Sequence, residues 1–231
     1  MSRTQLVWFR DDLRLRDNAA LSAAAARGPV VGLHIEETVG RPSGAAARWW
    51  RARSVASIST KLPLIRAAGD PREVVPRIAS ELDAQVHWNR RYHLTDVDAA
   101  VKQATGATSH PGFLLTEPWT IATASGSPFK VFTPFSKAVF SALSAEPPQP
   151  VPAPELRPAS VDAAALSDPV TEAEPFWAAG TLAQHCHPGE DAALERFHDF
   201  LGRLEDGAGY DNNDLSAPAT SGLSPHLRFG E

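Results

Sequence analysis

Short apolar runs alternate with helix-period segments from Leu6 to about Ala104, and this rhythm restricts the chain more than any other feature. Leu6-Val7-Trp8-Phe9 is a continuous apolar run, the pattern of a strand buried on both faces. Asn18 can cap a helix over Ala19–Ala26, which Gly28-Pro29 ends. Val30–Ile35 reads as a second strand, Ala45–Leu62 as a long helix and Leu64–Ala67 as a third strand. Asp70-Pro71-Arg72-Glu73 carries a cap, a proline at the first helical position and a capping-box-like acid, predicting a helix to Leu82. Ala84–Trp88 is the next strand, and Thr95 with Asp98 suggests one more helix start. Strands that alternate with helices imply parallel pairing with helices on both faces, a doubly wound α/β domain over residues 1–140.

Beyond it the pattern changes. The stretch Glu146–Pro158 holds Pro147, Pro148, Pro150, Pro152, Pro154 and Pro158, so residues 141–190 read as an extended, semi-rigid linker rather than a core element. In Asp191–Glu205, Leu194, Phe197, Leu201 and Leu204 recur at helical spacing beside Phe200, which predicts a helix with a core-facing stripe. Residues 191–231 form a third unit.

Several function classes are excluded. No apolar run is long enough to span a membrane, and the opening segment lacks a signal-peptide core, so the chain is expected in the cytoplasm. The single cysteine, Cys186, permits no intrachain disulfide. His185 and His187 flank it, but adjacent residues rarely converge on one tetrahedral ion, and no metal site is expected. The net charge of −5 lacks the basic surplus of a free-standing DNA binder. The Gly-rich dinucleotide fingerprint, the phosphate-binding P-loop and the serine nucleophile elbow are all absent.

The first strand leads into Arg10-Asp11-Asp12-Leu13-Arg14-Leu15-Arg16-Asp17-Asn18. In open α/β folds the carboxyl ends of the strands face the ligand crevice. Asp11 and Asp12 could serve as an acid/base pair, but adjacent side chains rarely address one atom, and the neighbouring arginines favour ion pairs.

Leu6–Asn18 resembles the N-terminal signature of photolyases and cryptochromes. Three later stretches resemble the same family in the same order: Val86-His87-Trp88-Asn89 with Tyr92, Lys130-Val131-Phe132-Thr133-Pro134-Phe135, and Thr220–Gly230. The resemblance implies a Rossmann-like α/β domain followed by a helical FAD-binding domain, of which only the first part would be present. It implies a carbon–carbon lyase, deoxyribodipyrimidine photolyase, in which light-excited reduced FAD donates an electron to a pyrimidine dimer in DNA. It also implies an antenna chromophore, a methenyltetrahydrofolate or a deazaflavin, at the α/β domain. The partner would be dimer-containing DNA, and the protein a monomer.

Carried over residue by residue, Thr220, Ser221, Gly222, Leu223 and Ser224 match the family's FAD phosphate stretch, and Tyr210 its flavin-facing tyrosine. Hydroxyls and successive N–H groups entering a helix suit an anion. Arg48, early in the helix after the second strand, is the antenna candidate. Asp214 and Gly222 stand where the family often has arginines, which removes positive charge from the expected DNA face. The resemblance assigns no residue a catalytic role, and the fragment alone is expected to be inactive and to leave Leu223, Leu227 and Phe229 exposed. Two other functions fit the same motifs: a cryptochrome-type blue-light photoreceptor, and a stand-alone antenna-chromophore or nucleotide-binding α/β module.

Overall fold

Most of the predicted strands and helices form in a computed structural model, which describes residues 2–169, 180, 182–207, 209 and 219–231. The strands are β1 (Gln5–Phe9), β2 (Val30–Glu37), β3 (Leu64–Gly69), β4 (Gln85–Asn89) and β5 (Thr108–His110). They form one parallel sheet in the order β3-β2-β1-β4-β5. Between them run α1 (Ala19–Ala25), α2 (Ala45–Ser59), α3 (Pro71–Glu81) and α4 (Thr95–Thr105), followed by α5 (Phe132–Ala145), the single turn α6 (Ala183–His185), α7 (Glu190–Glu205) and α8 (Ser224–Phe229).

Alternation along β1 builds two cores. Leu6 and Trp8 join Val75 and Ile78 of α3 and Val101 of α4 on one face. Val7 and Phe9 join Leu21 and Ala24 of α1 and Val55 and Ile58 of α2 on the other. Both faces are therefore covered, which is why β1 carries no polar alternation. The caps follow the sequence: Asn18 accepts from the Leu21 amide at 3.0 Å, and Asp70 from the Arg72 amide at 2.9 Å. At α4 the capping residue is Leu94, in a left-handed conformation with no side-chain cap bond. Asp98 does not reach back to that cap; its carboxylate is taken by Arg10 and Arg91.

The proline-rich stretch is extended, and its second half is bonded to the sheet. The Val30 amide donates to the Arg157 carbonyl at 2.8 Å, and the Ala159 amide to the Val30 carbonyl at 2.9 Å. Ala159 is buried in the α3-side core, with Val161, Ala163 and Leu166 packed against it. The Ala68 amide donates to Asp168 at 3.1 Å. Residues 156–168 thus form a strap laid on the α/β domain.

Two expectations are corrected. On α7 the stripe is not core-facing: Phe197, Leu201 and Leu204 are exposed, and only Glu190 and Ala193 are buried. Helical periodicity reports an apolar face but not its partner, and no described element covers this one. Conversely, Phe229 is not exposed. It is 4% accessible and stacks on Trp50, with ring centroids 6.2 Å apart and planes 12° apart. Leu227 does face solvent.

Candidate functional site

β1 and β4 lie side by side, and the chain leaves them in opposite directions across the sheet, so their carboxyl ends open a crevice at the topological switch point. A buried polar knot fixes its floor. Asp12 accepts from the Arg10 amide at 2.7 Å and from Asn89 Nδ2 at 2.8 Å. Asn89 Nδ2 also donates to Asn18 Oδ1 at 2.9 Å, and its Oδ1 accepts from the Ala20 amide at 3.0 Å. Asp12 is therefore held by neutral donors, and burial pushes its carboxyl above the usual range. Asp11 behaves differently: it pairs with Arg228 at 2.6 Å and Arg51 at 3.8 Å. The two aspartates face separate partners rather than one reacting atom.

A chain of ion pairs forms one wall. Arg10 lies 4.5 Å over the Trp8 ring and grips Asp98 at 2.8 and 3.0 Å. Arg91 donates to Asp98 at 3.0 Å and meets both Glu37 oxygens at 2.9 Å. Burial lowers the Arg10 guanidinium from its usual value, and Asp98 opposes that loss. Bidentate, buried geometry of this kind fixes positions, whatever its net worth in stability.

The crevice encloses about 520 Å³, within the range of small-molecule sites. Six arginines line it (Arg10, Arg41, Arg48, Arg51, Arg91 and Arg228) against the three carboxylates of Asp11, Glu36 and Glu37, a surplus that suits an anion. Arg41 and Arg48 have no carboxylate partner among the described residues. Arg48 instead donates to the Ser43 carbonyl at 2.6 Å, and Arg51 to Ser43 Oγ at 3.2 Å. Ile35, Val39 and Phe113 supply apolar wall for a planar ligand. His34 also lines the crevice; burial and then Arg51 hold its ring down to about 4.

Arg228 comes from α8, which is docked on α2. The Leu13 amide donates to the Phe229 carbonyl at 3.1 Å, and Arg14 to the Gly230 carbonyl at 3.1 Å. Gly230 has φ +64°, and a Cβ there would meet the Asp11 carbonyl oxygen at 2.2 Å, so only glycine permits this approach. Glu190, at the start of α7, is buried and accepts from the Leu15 and Arg16 amides at 3.0 and 2.8 Å.

Arg48 is the sequence candidate that the structure brings to the crevice. Thr220, Ser221, Gly222 and Leu223 lie apart from it in the turn before α8, which Ser224 opens, and Leu223 N donates to Ser221 Oγ at 3.3 Å. Gly222 adopts φ +65°, and a Cβ there would come within 2.6 Å of Arg196 Nη1. Arg203 donates to the Thr220 carbonyl at 3.1 Å. Two α7 arginines therefore flank this turn. Sequence reasoning missed both, along with Arg41, Arg51, Arg91 and Arg228 in the crevice. The polar side of the α7 stripe carried the only signal. Tyr210 lies outside the described residues, and no described helix is long and apolar enough to cross a membrane.

Known proteins are similar to this chain over nearly its whole length. A family model described as DNA photolyase matches residues 5–155. The deoxyribodipyrimidine photo-lyase of Agrobacterium fabrum is 40% identical over 249 residues, covering 98% of this chain and 50% of that protein. Cryptochrome-1 of Arabidopsis thaliana is 30% identical over 250 residues, covering 98% of this chain and 36% of that protein. The crystal structure of a bacterial class III photolyase from Agrobacterium tumefaciens is similar with a TM-score of 0.79 at 36% identity, over 100% of this chain and 51% of that one. The chain thus spans about half the length, or less, of these relatives.

Proposed function

We propose, on the premise that this chain belongs to the DNA photolyase family, that it serves as the α/β and linker portion of a deoxyribodipyrimidine photolyase, a cytoplasmic, monomeric lyase that repairs pyrimidine dimers in DNA with light. The observation that carries the reading is the arginine-rich crevice at the carboxyl ends of β1, β2 and β4. Its volume, apolar wall and surplus positive charge fit an antenna chromophore with an acidic group, a methenyltetrahydrofolate or a deazaflavin. Arg48 would meet that acidic group, and Arg10 and Arg91 are fixed beside it.

The turn at Thr220–Ser224 fits an FAD phosphate. Gly222 holds a left-handed conformation with the Arg196 guanidinium against it, and Arg203 fixes the Thr220 carbonyl. The hydroxyls of Thr220, Ser221 and Ser224 would orient the phosphate, with Arg196 balancing its charge, and Tyr210 would face the flavin. Bound reduced FAD supplies the light-driven electron that opens the dimer. The described residues leave Thr220, Gly222 and Ser224 exposed, so the isolated 231-residue chain is expected to retain no FAD and to repair nothing.

In a background with no other photolyase, cells that lose this coding sequence should lose light-dependent removal of pyrimidine dimers from their DNA. Unchanged removal would overturn the repair reading and favour a blue-light photoreceptor, the function suggested by the similarity to Cryptochrome-1.

A further inference from the structure

We propose that His34 selects the crevice ligand, accepting through Nε2 a hydrogen bond from a ring N–H of a planar aromatic anion. The inference rests on the reading of the crevice as a chromophore site and adds a specificity residue to it.

His34 is placed by the sheet. It pairs in register with Phe9 on one side and Arg66 on the other, near the carboxyl end of β2, and it is 7% exposed. Its Nδ1 lies 3.2 Å from the Phe9 carbonyl oxygen. A carbonyl only accepts, so Nδ1 carries the proton. A second proton on Nε2 is opposed by burial and by Arg51 and Arg66, and these outweigh the Phe9 hydrogen bond and Asp11, which pull the other way. At neutral pH the ring is therefore neutral, with a lone pair on Nε2. None of the described residues donates to that atom.

The rest of the lining makes this acceptor matter. Arginines only donate. The crevice carboxylates are engaged: Asp11 by Arg228 and Arg51, Glu36 by Arg51, and Glu37 by Arg91. A ligand N–H that reaches the floor thus meets His34 Nε2, while the ligand's acidic group is met by Arg41 and Arg48, which have no carboxylate partner among the described residues. A ligand that places an acceptor or a methyl group there leaves a buried lone pair unmatched, a mismatch that costs about tenfold or more in affinity.

The test uses 5-deazariboflavin 5′-phosphate and its N3-methyl derivative, which blocks the ring N–H. Affinities are read by ligand fluorescence, and the ¹⁵N resonances of His34 are followed in parallel. Wild-type protein should prefer the N–H form at least tenfold, and its Nε2 resonance should shift on saturation. His34→Phe should bring the preference close to unity, while Arg48→Ala should weaken both ligands alike. Equal binding of the two ligands, or an unmoved Nε2 resonance at saturation, would remove His34 from the assignment and leave the chromophore reading standing. Saturable binding of neither ligand would remove both. If His34→Phe fails to fold, the wild-type ligand ratio and resonance still decide.

Discussion

The carboxylate of Glu231 accepts a hydrogen bond from the indole Nε1 of Trp50 at 3.0 Å. The same carboxylate meets His226 Nδ1 at 2.6 Å and takes the Ser54 hydroxyl, and its side chain is fully buried. With Phe229 stacked on Trp50 and His226 edge-on to it at 5.0 Å, α8 is fastened to α2 by one carboxylate and one indole.

Glu231→Ala should therefore release α8. It strands an indole N–H, a hydroxyl and an imidazole in a buried place, at a cost of about 2 kcal/mol or more. Tryptophan emission should move to longer wavelength, and protease should cut before Thr220 sooner than in wild type. Emission and cleavage identical to wild type would show that packing of Phe229 alone holds the helix.

Asp12 should tolerate neither removal nor amidation. Asp12→Ala leaves the Arg10 amide and one Asn89 proton unpaired. Asp12→Asn turns an amide group toward Asn89 Nδ2, which cannot flip because its Oδ1 is held by the Ala20 amide. Each should cost about 2 kcal/mol in urea unfolding. An asparagine variant as stable as wild type would contradict the assigned hydrogen-bond directions.

Acid should weaken the fold before the carboxylates titrate. His34 and His87 are both held down to about 4, by burial first, then by Arg51 at His34 and by His110 at His87. A depressed histidine favours the neutral form in the fold. Its stability is full above the unfolded value near 6.5 and is lost as pH falls from there toward 4, on the order of 3 kcal/mol for each ring. Tm should fall between pH 7 and pH 5, and His87→Gln should flatten that slope. A flat wild-type profile would refute the assignment. His87 fixes its own tautomer: Gln5 Oε1 accepts from Nε2 at 2.9 Å, so Nδ1 must accept from His110 Nε2 at 3.1 Å.

Arg48→Ala should reduce chromophore affinity about tenfold with little change in Tm. The side chain is exposed and bonds only its neighbouring loop at Ser43, so its loss removes charge from the crevice without opening the core. A large fall in Tm would instead make Arg48 a structural brace of that loop.

The sheet was legible because each buried strand announces itself locally. Leu6–Phe9 and Val30–Ile35 are runs that only a covered strand can use. β5 was not legible: Thr108-Ser109-His110 has no apolar pattern and exists because β4 offers it an edge. Arg48 could be placed at the crevice because it follows β2 closely. Arg228 could not, since it arrives from the far end of the chain through contacts at Trp50 and Leu13 that no local pattern encodes. His34 was hidden for another reason, since within Val30–Ile35 it looks like one polar residue in an apolar strand. Its role depends on which carbonyl lies beside it.

The strap over residues 156–168 imposes an order on synthesis. The sheet needs nothing beyond His110, and a ribosome could release it early. Val30 nevertheless waits for Arg157 and Ala159, and Ala68 for Asp168, before their hydrogen bonds are made. Until then the amino end of β2 and one flank of the α3-side core face water. Domains tend to form as units during translation. The nascent domain is thus complete only when the proline-rich stretch has cleared the exit tunnel, and a pause in translation just before that point would hold it half-closed.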